Sequence, residues 1–217
     1  DSPTYGLNRA TSKERQTGSS IKPLTSIATG LEQGIITAAT VYDDSPTKFD
    51  GDYVNNSTGY GGLITVRKAI ERSSNVVNMK ILADVGTDNA IEFLNEIGMT
   101  QLDENDANLS LALGGTYHGI SPLQMAAAYA MIANGGEYIE PTFYTKVEDS
   151  NGNVILEPTQ ETKRVMTEAN AYILSSILES PITGPNGTAG ICAIPGMDVA
   201  AKTGTTTSFK DRWLCGF

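Results

Sequence analysis

Residues 121–136 constrain this chain more than any other stretch. Ser121-Pro122 is a helix N-cap followed by a proline in the first turn, and Asn134-Gly135-Gly136 is a helix stop. Between them, Leu123, Met125 to Tyr129, Met131 and Ile132 leave almost no polar face. A helix that is apolar on nearly every side must be covered on nearly every side. The pattern therefore predicts an all-helical lobe with this segment at its centre. A membrane span needs roughly 20 such residues, and no apolar run here approaches that length.

The covering helices are visible in the spacing. Ile21, Leu24, Ile27, Ala28 and Leu31 recur every three or four positions, which predicts a helix from Gly18 that stops at Gly34, with Pro23 harmless in its first turn. Residues 65–72 and 76–82 predict two more helices, the second closed by Gly86. Residues 87–97 predict another, with Ile91, Leu94 and Ile97 on one face and Gly98 as its cap. A further helix is expected over about residues 167–178. Residues 1–17 lack periodicity and read as loop, and residues 41–62, rich in Asp, Asn, Ser, Thr, Pro and Gly, read as a long irregular connection. Strand signals are few: a hairpin of residues 143–147 and 154–156 around Ser150-Asn151-Gly152-Asn153, then residues 198–204 and 213–217 at the end.

Composition excludes several kinds of function. Fifteen basic against 25 acidic residues give a net charge of −10, and basic residues gather in no run longer than short groups such as Lys13-Glu14-Arg15 and Arg67-Lys68, so nucleic acid is not an expected partner. Two cysteines, Cys192 and Cys215, are too few for a disulfide scaffold and lack metal-ligand spacing. They are expected to be free, because a terminal hairpin turning near Ser208 would set Cys215 opposite about Ala201, far along the chain from Cys192. The single histidine, His118, means that any Ser-His-Asp or Cys-His mechanism would depend on that one residue. It is expected in a loop at or near a substrate groove, without a direct catalytic role.

Three short motifs remain: Ser19-Ser20-Ile21-Lys22, Ser73-Ser74-Asn75 and Lys202-Thr203-Gly204-Thr205. On a helix, positions i and i+3 share a face, so Lys22 can reach the Ser19 hydroxyl. A serine attacks only when a base takes its proton, and with no suitable histidine a neutral lysine is the candidate. A lysine is neutral near pH 7 when it is desolvated or lies beside another cation, and Lys202 could be that cation if the third motif folds onto the first. Each motif alone says little. A second Ser-x-x-Lys, from Ser45 to Lys48, lies in the polar connection, and Ser-Asn pairs commonly cap helices. Their order in one chain carries the weight: a helix start, a break between helices, then the end of a Val/Ala strand.

That set is the one associated with penicillin-binding proteins and class A β-lactamases. The chain resembles the transpeptidase domain of a class A, bifunctional penicillin-binding protein. Asn8-Arg9-Ala10 before the first motif, residues 113–136, and residues 201–213 through Asp211-Arg212-Trp213 extend the likeness over essentially the whole chain. The resemblance implies an α+β fold of the penicillin-binding/serine β-lactamase type, an all-helical lobe plus a central five-stranded antiparallel sheet. Only one or two of those strands are legible here, so residues 1–217 are expected to form a partial domain, lacking N-terminal and C-terminal sheet strands that another polypeptide segment supplies.

What the resemblance implies for function is a D,D-transpeptidase without a cofactor or metal. Ser19 would attack the penultimate D-alanine of a peptidoglycan stem peptide, with Lys22 as base and Ser73 relaying a proton to the leaving nitrogen. Asn75 would hold the substrate amide, and Lys202 would add positive potential. Thr203 and Thr205 would grip the substrate carboxylate, and the N–H groups of Ser19 and Thr205 would form the oxyanion hole. Gly204 is expected to leave room for a peptide added along the strand edge. Stem peptides ending in D-Ala-D-Ala and β-lactam antibiotics are the implied partners, and the extracytoplasmic face of a bacterial membrane the implied location. Cell-wall biogenesis, cell shape and β-lactam resistance are the implied context. A D,D-carboxypeptidase differs only in using water as acceptor, and a β-lactam sensor domain would acylate without turnover. A β-lactamase needs a second base. The candidate, Glu92 in Glu92-Phe93-Leu94-Asn95, stands one residue too close to Leu94, which rotates it by about 100° on the helix. Glu92 therefore reads as a solvated position. Tyr60-Gly61-Gly62 is a further expected part of the groove wall.

Overall fold

The computed structural model of the protein describes residues 6–12 and 14–217. The residues before the first helix run without regular structure as expected, while Lys13 and the first five residues lie outside the described part. The first helical element is a continuous rod of three pitches: a 3-10 turn Gly18–Ile21, a π-helical stretch Pro23–Ala28, and a short α1 Thr29–Glu32. The wide middle has local causes. Pro23 brings no N–H, and the hydroxyls of Thr25 and Thr29 donate back to the carbonyls of Ile21 and Leu24 at 3.3 and 3.2 Å.

Residues 41–65 are ordered, which corrects the expected irregular connection. Strand β1 (Val41–Asp44) pairs antiparallel with β4 (Gly62–Thr65), and β2 (Thr47–Phe49) with β3 (Asp52–Val54) forms a small hairpin inside that loop. These strands are three or four residues long and half exposed, so they leave no alternation to read. Then follow α2 (Val66–Glu71), capped by Thr65, α3 (Asn75–Val85), capped by Ser74, and α4 (Thr87–Glu96), all close to expectation.

A 3-10 turn Leu109–Leu113 leads to α5 (Pro122–Ala133), where Ser121 and Gln124 form a reciprocal capping box. Two ladders follow it in the chain: β5 (Glu137–Ile139) with β8 (Thr162–Arg164), and the expected hairpin, shorter than predicted, of β6 (Val147–Glu148) with β7 (Val154–Leu156). Helix α6 (Glu168–Thr183) runs five residues beyond its predicted end and carries Pro181 inside its last turn. The chain closes with the antiparallel pair β9 (Ala201–Thr205) and β10 (Arg212–Gly216), in which Cys215 faces Lys202, one step from the predicted register.

The centre of the lobe differs from expectation. Every residue from Ser20 to Leu31 is buried, whereas α5 leaves Ala126, Ala130 and Ala133 exposed along one stripe. The rod is the central helix, and α5 packs beside it. Its polar residues hid this in the sequence: Ser26 is fully buried because its hydroxyl donates to the Asn78 carbonyl at 3.1 Å. The lobe is also not purely helical, since it carries the short ladders on its flanks. The molecule is α+β, with β9 and β10 as a partial antiparallel sheet against the helices.

Candidate active site

Ser19 sits in the opening turn of the rod, and four contacts fix that turn. The Tyr129 hydroxyl of α5 donates to the Ser20 carbonyl at 2.7 Å, and the Trp213 indole of β10 donates to the Gln16 carbonyl at 3.1 Å. Arg15 and Ile120 exchange both backbone hydrogen bonds, and Arg15 pairs with Asp211. Three backbones meet beside Ser19 with no room between them. A methyl on Gly114 would lie 2.4 Å from the Gly18 backbone, and one on Gly18 would lie 2.6 Å from the Thr205 carbonyl. Both glycines have φ in the left-handed region, at 78° and 56°.

Gly204 corrects a prediction. A methyl there would fall 2.2 Å from the Thr17 carbonyl and 2.9 Å from the Ser20 hydroxyl. Its missing side chain lets β9 press on the Ser19 turn; it points inward, and not to a peptide on the strand edge.

The two lysines meet at Ser73. Lys22 and Lys202 are both fully buried. Lys22 Nζ donates to the Ser73 carbonyl at 2.8 Å and to Asn75 Oδ1 at 2.7 Å, and lies 3.3 Å from Ser73 Oγ. Lys202 Nζ donates to Ser73 Oγ at 2.9 Å and to the Thr203 carbonyl at 3.1 Å. Burial pushes the Lys22 amine well below its ordinary range, the Lys202 charge pushes the same way, and Asp44 opposes both. Burial alone brings Lys202 down to about 7. The carbonyl partners of Lys22 can only accept hydrogens. A neutral Lys22 therefore spends its two N–H bonds on them and keeps its lone pair for a hydroxyl. Ser73 itself has φ of 57°, a left-handed backbone unusual for serine, held by Lys22 and by the bond from the Ser74 N–H to the Ala69 carbonyl at 2.8 Å.

The predicted bond from Lys22 to Ser19 is absent: among the described residues the Ser19 hydroxyl has no hydrogen-bond partner, and it faces a cleft of about 520 Å³ shared with Ser73, Asn75, Thr203 and Thr205. All eight predicted site residues thus gather at one place, and Gly204 stands behind it. Asn75 is engaged at both ends of its amide, Oδ1 by Lys22 and Nδ2 by the Asn55 carbonyl at 2.7 Å. The Thr203 hydroxyl is 2.9 Å from that of Thr188, a partner the sequence did not single out.

Other candidates lie elsewhere. Tyr60-Gly61-Gly62 is not groove wall: the Gly61 N–H donates to Asp44 at 2.9 Å and Tyr60 donates to the Val54 carbonyl at 3.2 Å, behind the site. His118 is also outside the cleft. It sits 3.3 Å from Asp103, and its ring nitrogen with the carboxylates of Asp103 and Asp106 falls within 4.8 Å. Those carboxylates already accept loop N–H groups, Asp106 from Tyr117 and Asp103 from Asn105. Glu92 lines a separate groove along α4. The cysteines are free, and burial pushes the Cys215 thiol up to about 11.

The model of the penicillin binding protein transpeptidase domain matches residues 2–214. The chain belongs to that family. As a transpeptidase domain it is 37% identical over 234 residues to penicillin-binding protein 1A of Clostridium botulinum, covering 100% of this chain and 28% of that protein. The solved penicillin-binding protein 1A of Haemophilus influenzae superposes with a TM-score of 0.83 at 31% identity, over 97% of this chain and 37% of that one. Penicillin-binding protein PonA1 of Mycobacterium tuberculosis gives 0.84 at 26% identity, over 100% and 60%. The transpeptidase domain therefore spans under a third of the length of its curated relatives.

Proposed function

We propose that the chain cross-links peptidoglycan through a serine acyl-enzyme. Ser19 Oγ attacks the carbonyl of the penultimate D-alanine while its proton passes to Lys22. The tetrahedral carbon then collapses, the C–N bond breaks, and Ser73 hands its proton to the departing D-alanine nitrogen while taking in its place the proton held by Lys22. An amine of a second stem peptide attacks the ester, forms the new amide and returns the proton to Ser19. Ser19 and Thr205 N–H groups hold the oxyanion, Lys202 with Thr203 and Thr205 hold the terminal carboxylate, and Asn75 holds the substrate amide from its place beside Lys22. β-Lactams enter by the same attack.

The observation that supports this most is the pair of buried amines converging on the Ser73 hydroxyl beside an unbonded Ser19. Burying two lysines costs stability that nothing else in the lobe requires. Among the described residues lining the cleft there is no carboxylate, and Glu92 lies in another groove, so no second, carboxylate base is at hand to activate water on the ester. That favours a long-lived acyl-enzyme over a β-lactamase. Work outside the bacterial membrane belongs to the same reading; among the described residues no helix is long and apolar enough to cross a membrane.

Labelling with a fluorescent penicillin tests the reading. Wild type and Ser45→Ala are expected to label and Ser19→Ala to stay dark; labelling that survives Ser19→Ala would overturn it.

A further inference from the structure

Asp44, at the end of β1, is fully buried, and none of the ion pairs among the described residues includes it. Its carboxylate accepts three hydrogen bonds: from the Ser74 hydroxyl at 2.6 Å, the Asn56 amide at 2.7 Å and the Gly61 N–H at 2.9 Å. A buried carboxylate outside any ion pair is a costly element to keep for packing alone, and these three donors are what offset that cost.

The partners of Asp44 lead to the lysine site in one step. With its NH₂ given to Asp44, Asn56 can present only Oδ1 to the start of α3, where it accepts from the Asn75 N–H at 2.7 Å and the Val76 N–H at 3.3 Å. The neighbouring Asn55 carbonyl takes the Asn75 side-chain NH₂, which leaves Asn75 Oδ1 pointing at Lys22. Ser74 caps the same helix, giving its hydrogen to Asp44 and accepting from the Val77 N–H at 3.1 Å. The loop that reads as irregular in sequence is thus the clamp that orients the second motif.

We propose that Asp44 and Asn56 are positioning residues for the acyl transfer, Asn56 fixing the orientation of Asn75 beside Lys22 and Asp44 holding Asn56 and the Ser74 cap in place. The proposal rests on the acyl-enzyme reading and extends it to residues that touch no substrate. The charged groups around the pair are few. Lys202 reaches Ser73 from β9, Arg72 at the end of α2 packs on Gly61 beside Asp44, and Lys80 on α3 bonds the Asp43 carbonyl at 2.7 Å. Of these, Lys202 and Asp44 act on Lys22, in opposite directions.

The test is the rate of acylation by a fluorescent penicillin against pH, measured on the full chain with melting temperatures alongside. The rising limb of that profile reports Lys22 losing its proton. Asp44 favours the protonated amine, so Asp44→Asn is expected to move the limb to lower pH and to slow acylation. Asn56→Ala leaves the charge in place and is expected to slow acylation roughly 10- to 100-fold by misplacing Asn75, with the limb unmoved. A role in folding alone would lower the melting temperature and leave both readouts unchanged. Wild-type rate and limb in both variants would overturn the proposal while leaving the acyl-enzyme reading intact; a wild type that never acylates would overturn both. An Asp44→Asn protein that fails to fold leaves the decision to Asn56→Ala, and a wild-type rate there overturns the clamp.

Discussion

Two residues carry opposite consequences for stability and chemistry, and each gives a prediction. Lys202 is held near 7 in the fold, against an ordinary value of about 10.4 in an unfolded chain. Below about 7 both states are protonated and the fold bears the full cost of a buried charge. Between there and about 10 the unfolded chain binds the extra proton, so rising pH stabilises the fold. Lys202→Met is therefore expected to melt at or above wild type at pH 6, with the difference shrinking toward pH 10, while penicillin acylation falls. A melting difference that is flat across that range contradicts the burial argument. Ser73 separates strain from chemistry: Ser73→Gly adopts its left-handed φ freely and removes the hydroxymethyl group with its hydroxyl. It is expected to keep the wild-type melting temperature and lose acylation about 100-fold or more, read by stopped flow. Ser19, Lys22, Ser73 and Lys202 were legible because hydroxyl and amine at those spacings suit one chemistry, and three motifs in order are hard to meet by accident. Asp44 and Asn56 were not, since a lone Asp or Asn in a polar stretch looks the same whether it faces water or orders a helix start.

At the level of elements, the geometry of the site comes from backbones pressed together without side chains. Gly204→Ala places a methyl 2.2 Å from the Thr17 carbonyl, so β9 must lift from the Ser19 turn. Overpacking of this kind costs about 1–3 kcal/mol, and acylation is expected to fall along with the melting temperature. Ser121→Ala is the control. It removes the α5 capping box at about 1 kcal/mol and is expected to lower the melting temperature with acylation almost unchanged, because the Tyr129 contact to Ser20 remains. Helices were the most legible elements, since Thr65, Ser74, Ser121 and Thr167 mark four starts with side-chain caps. The short strands around residues 41–65 were not, because three or four half-exposed residues leave no alternation to read, and β1 and β4 are placed by packing on α3 and α2. The reading of Gly204 failed for a related reason: sequence shows where a side chain is missing, but not which neighbour required its absence.

Across the whole molecule, two kinds of surface meet at the terminal hairpin. One edge of β9 borders the cleft, where a substrate strand could add. On the far side of the pair, the outer edge of β10 meets no strand among the described residues, with Leu214 exposed and a second cleft of about 400 Å³ between it and the small-residue stripe of α5. An open edge beside apolar surface invites pairing. Residues 1–217 expressed alone are expected to self-associate in sedimentation, and a monodisperse monomer with a reversible melt would contradict that. The exposed Ala126, Ala130 and Ala133 explain why α5 looked central in sequence: alanines count as apolar whether they face a core or a neighbouring segment. The central claim, that Ser19 forms a covalent ester while two buried lysines manage its proton, has a direct test in the intact mass of the full protein after exposure to benzylpenicillin. The account predicts one adduct of the mass of the whole antibiotic, mapped to the peptide holding Ser19 and persisting after free drug is removed. An unmodified mass, or an adduct on any other residue, would contradict it.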